Sequence, residues 1–324
     1  MSPTLPSTLL YTISSHAGPI NALTFSSLGG TYVLSCSSDR QIHLSRTEPT
    51  SPVNKSSSTP TSATPIQKYA AHGYPILDIS CAADNQTFAS VGGDRSVFLW
   101  DVQIGSTIRR FGGTQQGHTS RINAVSFAGA EDSVLVSGSD DKSVRVWDVK
   151  SRSANPIMVF EDAGDSVSAL VVRGEEIITG SVDGRVRNYD VRMGLCTEDT
   201  MPAAVTSVQI TGDGQALLVG CLDSKVRLID RKDGGCLRAF RGNGFTNDEL
   251  RIKSCFGRGE AIVVSGSEGN GRVNAWDVMT GQVLGSVEAG EKVISIVRWR
   301  NKSRDVNTVW ASGGADGVVR IWGG

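Results

Sequence analysis

Short apolar runs of strand length, separated by turns rich in Gly, Asp and Ser, recur along almost the whole chain. The clearest unit starts at His118, continues through INAVSF (122–127) and ends with VLVSGSDDKSVRVWD (134–148). Its alternation predicts three short strands joined by tight turns. Equivalent units run INALTF and YVLSCSSDRQIHLS, ILDISC and FASVGGDRSVFLWD, VSALVV and IITGSVDGRVRNYD, and VTSVQI and LLVGCLDSKVRLID. Two more contain IVVSGSEGNGRVNAWD and VWASGGADGVVRIW. In each, an Asp or once an Asn (Asp39, Asp94, Asp141, Asp183, Asp223, Asn270, Asp316) precedes by six residues a position that is most often Trp. Successive members are 55, 47, 42, 40, 47 and 46 residues apart. That period fits a four-stranded blade repeated around an axis, and it predicts an all-β, seven-bladed β-propeller.

The repeats lie at about 16–45, 72–101, 118–148, 162–190, 203–230, 247–277 and 290–322. Residues 1–7 read as a tail and 8–324 as one propeller, since a radial array absorbs a long chain without a second domain. The last blade runs out of sequence after Trp322 and would leave an unpaired edge. The run Leu9-Leu10-Tyr11-Thr12-Ile13 has no other home, so it is expected to pair with residues 318–322 and close the ring. Residues 46–65, RTEPTSPVNKSSSTPTSATP, are nearly devoid of apolar side chains and read as a disordered insertion within blade 1.

Composition narrows the function classes. The chain has 32 basic and 33 acidic residues, interspersed, and a net charge of −1. No charge block recommends a nucleic-acid backbone or an anionic membrane as partner. Six cysteines lie scattered without a C-x-x-C pair and read as reduced, small apolar residues. The N-terminus lacks a signal-peptide pattern and no apolar run reaches membrane-spanning length, which leads to the expectation of a soluble, intracellular protein.

These units resemble the WD-repeat family, whose blades carry a His before the first strand, a Ser or Thr on the second, an Asp in the next turn and a Trp on the third. Full sets are His72, Ser90, Asp94, Trp100 and His118, Ser137, Asp141, Trp147; blade 1 keeps His16, Ser35 and Asp39 but has Ser45 for Trp. The carboxylate can accept from the ring, the ring can meet the hydroxyl, and the hydroxyl can accept from the indole. Repeats 4 to 7 lack the His, so Asp183, Asp223 and Asp316 are expected to bond turn backbone instead. Two stretches, HGYPILD (72–78) with its GGDRSVFLWDV, and GSVDGRVRNYDVRMG (180–194), are similar to the mitogen-activated protein kinase organizer family of WD-repeat proteins. The chain departs from it in residues 46–65 and in the Glu268-Gly269-Asn270-Gly271 turn. The resemblance implies a non-enzymatic scaffold for kinase-cascade components or spliceosomal proteins. A splicing subunit without a signalling role and a substrate adaptor of a ubiquitin ligase stay open as alternatives.

Three of the four histidines are committed to that network, and no phosphate-binding, nucleophile-elbow or zinc motif occurs. No catalytic residue, metal ligand or cofactor site is therefore expected. In the family, partners bind through the residue after the first apolar position of the inner strand and the residue before the turn Asp. Carried over, these include Leu77, Asn123 and Lys253, and Asp140, Val182 and Leu222; Tyr74 and Arg121, in the loops just ahead, are candidate anchors. Lys253 is the sole base among fourteen such positions, so that face suits a protein segment better than a polyanion. The expected assembly is a monomer within larger protein complexes, touching neither membrane nor, directly, nucleic acid. The strand residues Arg145, Arg187, Arg227 and Arg320 are expected to cover neighbouring strands while their heads pair with carboxylates.

Overall fold

The computed structural model describes residues 4–14, 16–27, 29–48, 61–62, 64–113, 115–300 and 309–324. They form seven antiparallel sheets arranged as the blades of a propeller. Blade 1 comprises Ile20–Phe25, Tyr32–Ser37, Ile42–Arg46 and Gln67–Tyr69, from inside outwards; blade 2 comprises Ile76–Cys81, Thr87–Gly92, Ser96–Asp101 and Thr107–Gly112. Blades 3 to 6 repeat this meander, their innermost strands being Ile122–Ala128, Val167–Arg173, Val205–Ile210 and the short Cys255–Gly257.

Blade 7 is built from both ends of the sequence. Ile294–Trp299, Val309–Gly314 and Val318–Gly323 are completed by Thr8–Ser14, which pairs antiparallel with the last strand, Leu9 opposite Trp322 and Ile13 opposite Val319. Tyr11 and Ile13 are buried there, and the Trp310 indole donates to Pro6 O at 2.9 Å. Most of residues 46–65 lies outside the described residues. At its margins the backbone is regular: Arg46 ends the third strand of blade 1, and Thr61 and Ser62 pair in parallel with Tyr11 and Thr12.

Why strands read as continuous apolar runs is plain from the packing. Each interface between neighbouring blades holds one buried cluster: Ile42, Tyr69, Phe88 and Trp100 between blades 1 and 2, for example, and Val136, Val144, Ile177 and Tyr189 between blades 3 and 4. Both faces of every sheet are therefore covered. Close approach is bought with glycine in the second strands; a Cβ at Gly180 would lie 2.3 Å from Val205 Cγ1 of the next blade. The hydrophobic core is a ring of interfaces, and the axis is left to polar side chains.

Candidate functional site

Antiparallel alternation puts the loops that lead into the innermost strands and the turns that lead into the third strands on one face, here called the front. A backbone clasp joins them in six blades. The N–H of Ser38, Gly93, Asp140, Val182, Leu222 and Ala315 donates to the carbonyl of Pro19, Pro75, Arg121, Ser166, Ala204 and Val293, at 2.9–3.1 Å. The turn below each clasp is fixed by its Asp. In blade 2 the His72 ring meets Asp94 at 2.6 Å and Ser90 at 2.7 Å, and the Trp100 indole donates to Ser90 at 2.8 Å. In blade 3 His118 meets Asp141 and Ser137 at 2.9 and 2.8 Å, with Trp147 donating to Ser137 at 2.8 Å. His16 of blade 1 holds Asp39 and Ser35 at 2.9 and 2.8 Å. His16 and His118 both lie below the usual histidine pKa because burial outweighs the carboxylate beside them. A neutral ring is what the chain of bonds requires: Nδ1–H donates to Asp, and Nε2 accepts from Ser.

In the blades without histidine both expectations, backbone bonds to the Asp and arginine heads on carboxylates, meet at the same turn. Their carboxylates do bond backbone, Asp183 accepting from Gly164 N–H at 2.9 Å and Asp316 from Val318 N–H at 3.1 Å. The missing imidazole is replaced by an arginine four residues on, on the third strand: Arg187 to Asp183 at 2.8 Å, Arg320 to Asp316 at 2.7 Å, and Arg227 to Asp223. Arg145, in blade 3 where the His is present, turns instead to the Gln116 carbonyl and Ser143. In blade 1 the same position is His43, stacked on His16 with ring centroids 3.9 Å apart, and in blade 2 it is Phe98, 4.0 Å from His72. In blade 6 Glu268 takes over, accepting from Asp248 and Glu249 N–H at 3.0 Å each and from Leu250 N–H at 2.5 Å.

Six innermost strands carry a bulge between their first and third residues, such as Ile76/Asp78 and Ile122/Ala124. The bulged residue has no partner on the second strand and its side chain is re-aimed. Asn21 donates to Ile76 O at 2.6 Å, Asn123 to Val167 O at 3.0 Å, Ser295 to Ile20 O at 2.5 Å, and Ser168 to Val205 O. The positions carried over from the family as partner-binding thus include four that stitch one blade to the next.

Two of the named candidates must be withdrawn on this ground. Asn123 is buried, and its amide also bonds Asp140 and Ser166. Lys253 is buried too: it crosses the axis from blade 6 to pair with Asp78 of blade 2, whose other oxygen accepts from Val125 N–H at 3.1 Å. Both side chains are thus turned inside the ring, out of reach of a partner at the front surface. The remaining candidates lie at the front surface. Tyr74 is 60% exposed and leans over Gly93, where a Cβ would lie 2.7 Å from its own Cβ. Val182 is 43% exposed, and Leu77 and Leu222 are half-buried. Arg121 is exposed and paired with Asp140; although burial opposes ionisation, bonds from Ser166 and Asn123 and the Arg121 charge hold that carboxyl below its usual range. Sequence reasoning missed Leu250, 46% exposed beside the Glu268 clasp. Among the described residues no group of His, Cys, Asp and Glu could hold a metal ion, and no helix is long and apolar enough to cross a membrane.

Seven blades, each with a turn carboxylate or its substitute and three with the Ser–Trp pair beneath, define a WD-repeat propeller. The family description "WD domain, G-beta repeat" matches residues 7–44, 63–101, 109–148 and 197–230. The first match begins in the strand that closes blade 7, so the repeat in sequence is offset by one strand from the blade in space. The chain is 30% identical over 340 residues to WD repeat domain-containing protein 83 homolog of Dictyostelium discoideum, covering 96% of each. It is 36% identical over 293 residues to WD repeat domain-containing protein 83 of Rattus norvegicus, covering 90% of this chain and 86% of that one. A more distant likeness, 24% over 321 residues, is to Autophagy-related protein 16 of Arabidopsis thaliana, covering 98% of this chain and 58% of that protein. The chain belongs to the WD repeat domain-containing protein 83 family. Its propeller is of a kind that is generally a non-catalytic interaction fold.

Proposed function

We propose that the protein is a non-enzymatic scaffold that assembles other proteins on its front face, through Tyr74, Leu77, Val182 and Leu222 around the Arg121–Asp140 pair. The observation that carries this reading is the exposure of apolar side chains on turns that are otherwise rigidly clasped. A pre-ordered apolar patch with a charged pair binds a protein segment at little entropic cost. The resemblance to the kinase-organizer family supports a role with kinase-cascade components and spliceosomal proteins, in cytoplasm and nucleus.

The test is affinity purification of the full chain from cytosolic and nuclear fractions, beside a Tyr74→Ala/Val182→Asp variant. The expected result is that kinase-cascade or splicing proteins are enriched on the parent chain and lost on the variant. Full retention on the variant would move the site elsewhere. Ligase components in place of either group would favour the substrate-adaptor reading.

A further inference from the structure

Three cations and one carboxylate meet on the axis. Arg251 and Lys253 enter from blade 6 and Arg298 from blade 7, while Asp78 enters from blade 2. Together with Ser207, Ser254, Thr206 and the apolar Ala124, Ala169, Leu170 and Val208 they line a void of about 30 Å³. Lys253 spends one N–H on Asp78; Arg251 donates through Nη1 to Asn123 O at 2.8 Å, and Arg298 through Nε to Leu23 O at 3.3 Å. The two guanidinium bonds go to neutral carbonyls, so the lining keeps an excess of two positive charges (three cations less one carboxylate).

Like charges gathered in a site partly withdrawn from water repel one another. Arg251 Nε, moreover, is buried without a hydrogen-bond partner. An unused N–H on a residue that lines a cationic void is an unmet requirement for an acceptor. We propose that the axial void binds one compact monovalent anion of chloride size, held by Arg251, Lys253 and Arg298. The volume sets the class: one water needs at least about 10–15 Å³, so about 30 Å³ has room for one ion of water size, such as a halide. Burial lowers the Lys253 ammonium to about 8, with Arg251 and Arg298 adding to that push and Asp78 opposing it, so Lys253 still carries its charge at neutral pH.

The site is independent of the scaffold reading, since no partner protein takes part. The test is thermal unfolding of the full chain at fixed ionic strength, with sodium gluconate exchanged stepwise for sodium chloride. Specific binding raises the midpoint in proportion to ln(1 + [Cl⁻]/Kd). Bromide should act alike, and gluconate should not. In Arg251→Gln the gain should shrink by at least half. Arg192→Gln, on an exposed turn between third and fourth strands, should keep the full gain. Crystals of the full chain grown in bromide should show an anomalous peak between Arg251 and Arg298, a readout that survives if Arg251→Gln does not fold. A featureless channel in those crystals, or a rise that follows general salting-out order and is unchanged in Arg251→Gln, would overturn the proposal.

Discussion

The axial ion pair makes an asymmetric prediction. Asp78→Leu removes the carboxylate of a lining that holds Arg251, Lys253 and Arg298, and leaves three cations facing one another. Breaking a buried pair costs about 3–5 kcal/mol, and here repulsion places the loss at the upper end. Lys253→Met leaves Asp78 its bond from Val125 N–H and the nearby charge of Arg251. A carboxylate still so compensated should cost only about 1–3 kcal/mol. Asp78→Leu/Lys253→Met should recover to within about 2 kcal/mol of the parent, because the apolar replacement of both partners removes two desolvation costs along with one attraction. Urea unfolding at pH 7, followed by tryptophan fluorescence and by far-ultraviolet circular dichroism, reads all four chains. A smaller loss for Asp78→Leu than for Lys253→Met would refute the charge accounting, and a double variant no better than the worse single would refute the coupling.

Three further outcomes are expected. Burial lowers His43 to about 4, and like charge from His16 adds to this; between pH 4 and 6.5 the unfolded chain binds a proton that the folded one refuses, so stability falls as pH is lowered through that window. His43→Phe, which copies the Phe98 cap over His72, should flatten the acid limb of a midpoint-against-pH curve while leaving neutral stability within about 1 kcal/mol. Ser90→Ala strands both the Trp100 indole and His72 Nε2, whereas Ser312→Ala strands only the Trp322 indole; at roughly 1–3 kcal/mol per orphaned group, the first should cost clearly more in urea melts. Removing residues 1–14 uncovers the edge at Val318–Gly323 and deletes the buried Tyr11 and Ile13, worth about 1.5–3 kcal/mol each, so the melting midpoint should drop by many degrees; an unchanged midpoint would contradict ring closure.

The blade count and the closure were legible because both follow from one-dimensional signals, the spacing of turn carboxylates and an orphan apolar run at the N-terminus. The roles of individual polar residues were much less so. Asn123 and Asn21 look like surface asparagines in sequence, and only the bulge in the innermost strand turns them toward the next blade. Lys253 stands at a position that is outward-facing in the family pattern, but blade 6 has a shortened inner strand, Cys255–Gly257, and Lys253 pairs in parallel with Ile296 instead of with its own blade. Its partner, Asp78, is 175 residues away, beyond any local pattern. The Asp–Arg pairs, by contrast, were within reach: a spacing of four on a turn and the strand it opens recurs as Asp183/Arg187, Asp223/Arg227 and Asp316/Arg320.

That substitution bears on where the front face is free to vary. A turn carboxylate flanked by buried indoles or hydroxyls needs a donor or a counter-charge. Blades 1 to 3 draw it from the preceding loop, through His16, His72 and His118, which fixes the path of that loop. Blades 4, 5 and 7 draw it from within their own sheet, through Arg187, Arg227 and Arg320. Their loops must still supply backbone bonds, as Gly164 does for Asp183, but no particular side chain. Apart from Ser166, which bonds Asn123 and Asp140, loop composition can therefore change at blades 4 and 5 without loss of a buried partner, and the apolar Val182 and Leu222 stand on the turns clasped to those loops. Exchanging Asp165 and Ala203 for other loop residues should alter binding with little effect on the melting midpoint. The equivalent exchange at His72 should lower the midpoint by unpairing Asp94 and Ser90. Equal losses of stability at the two places would remove the distinction.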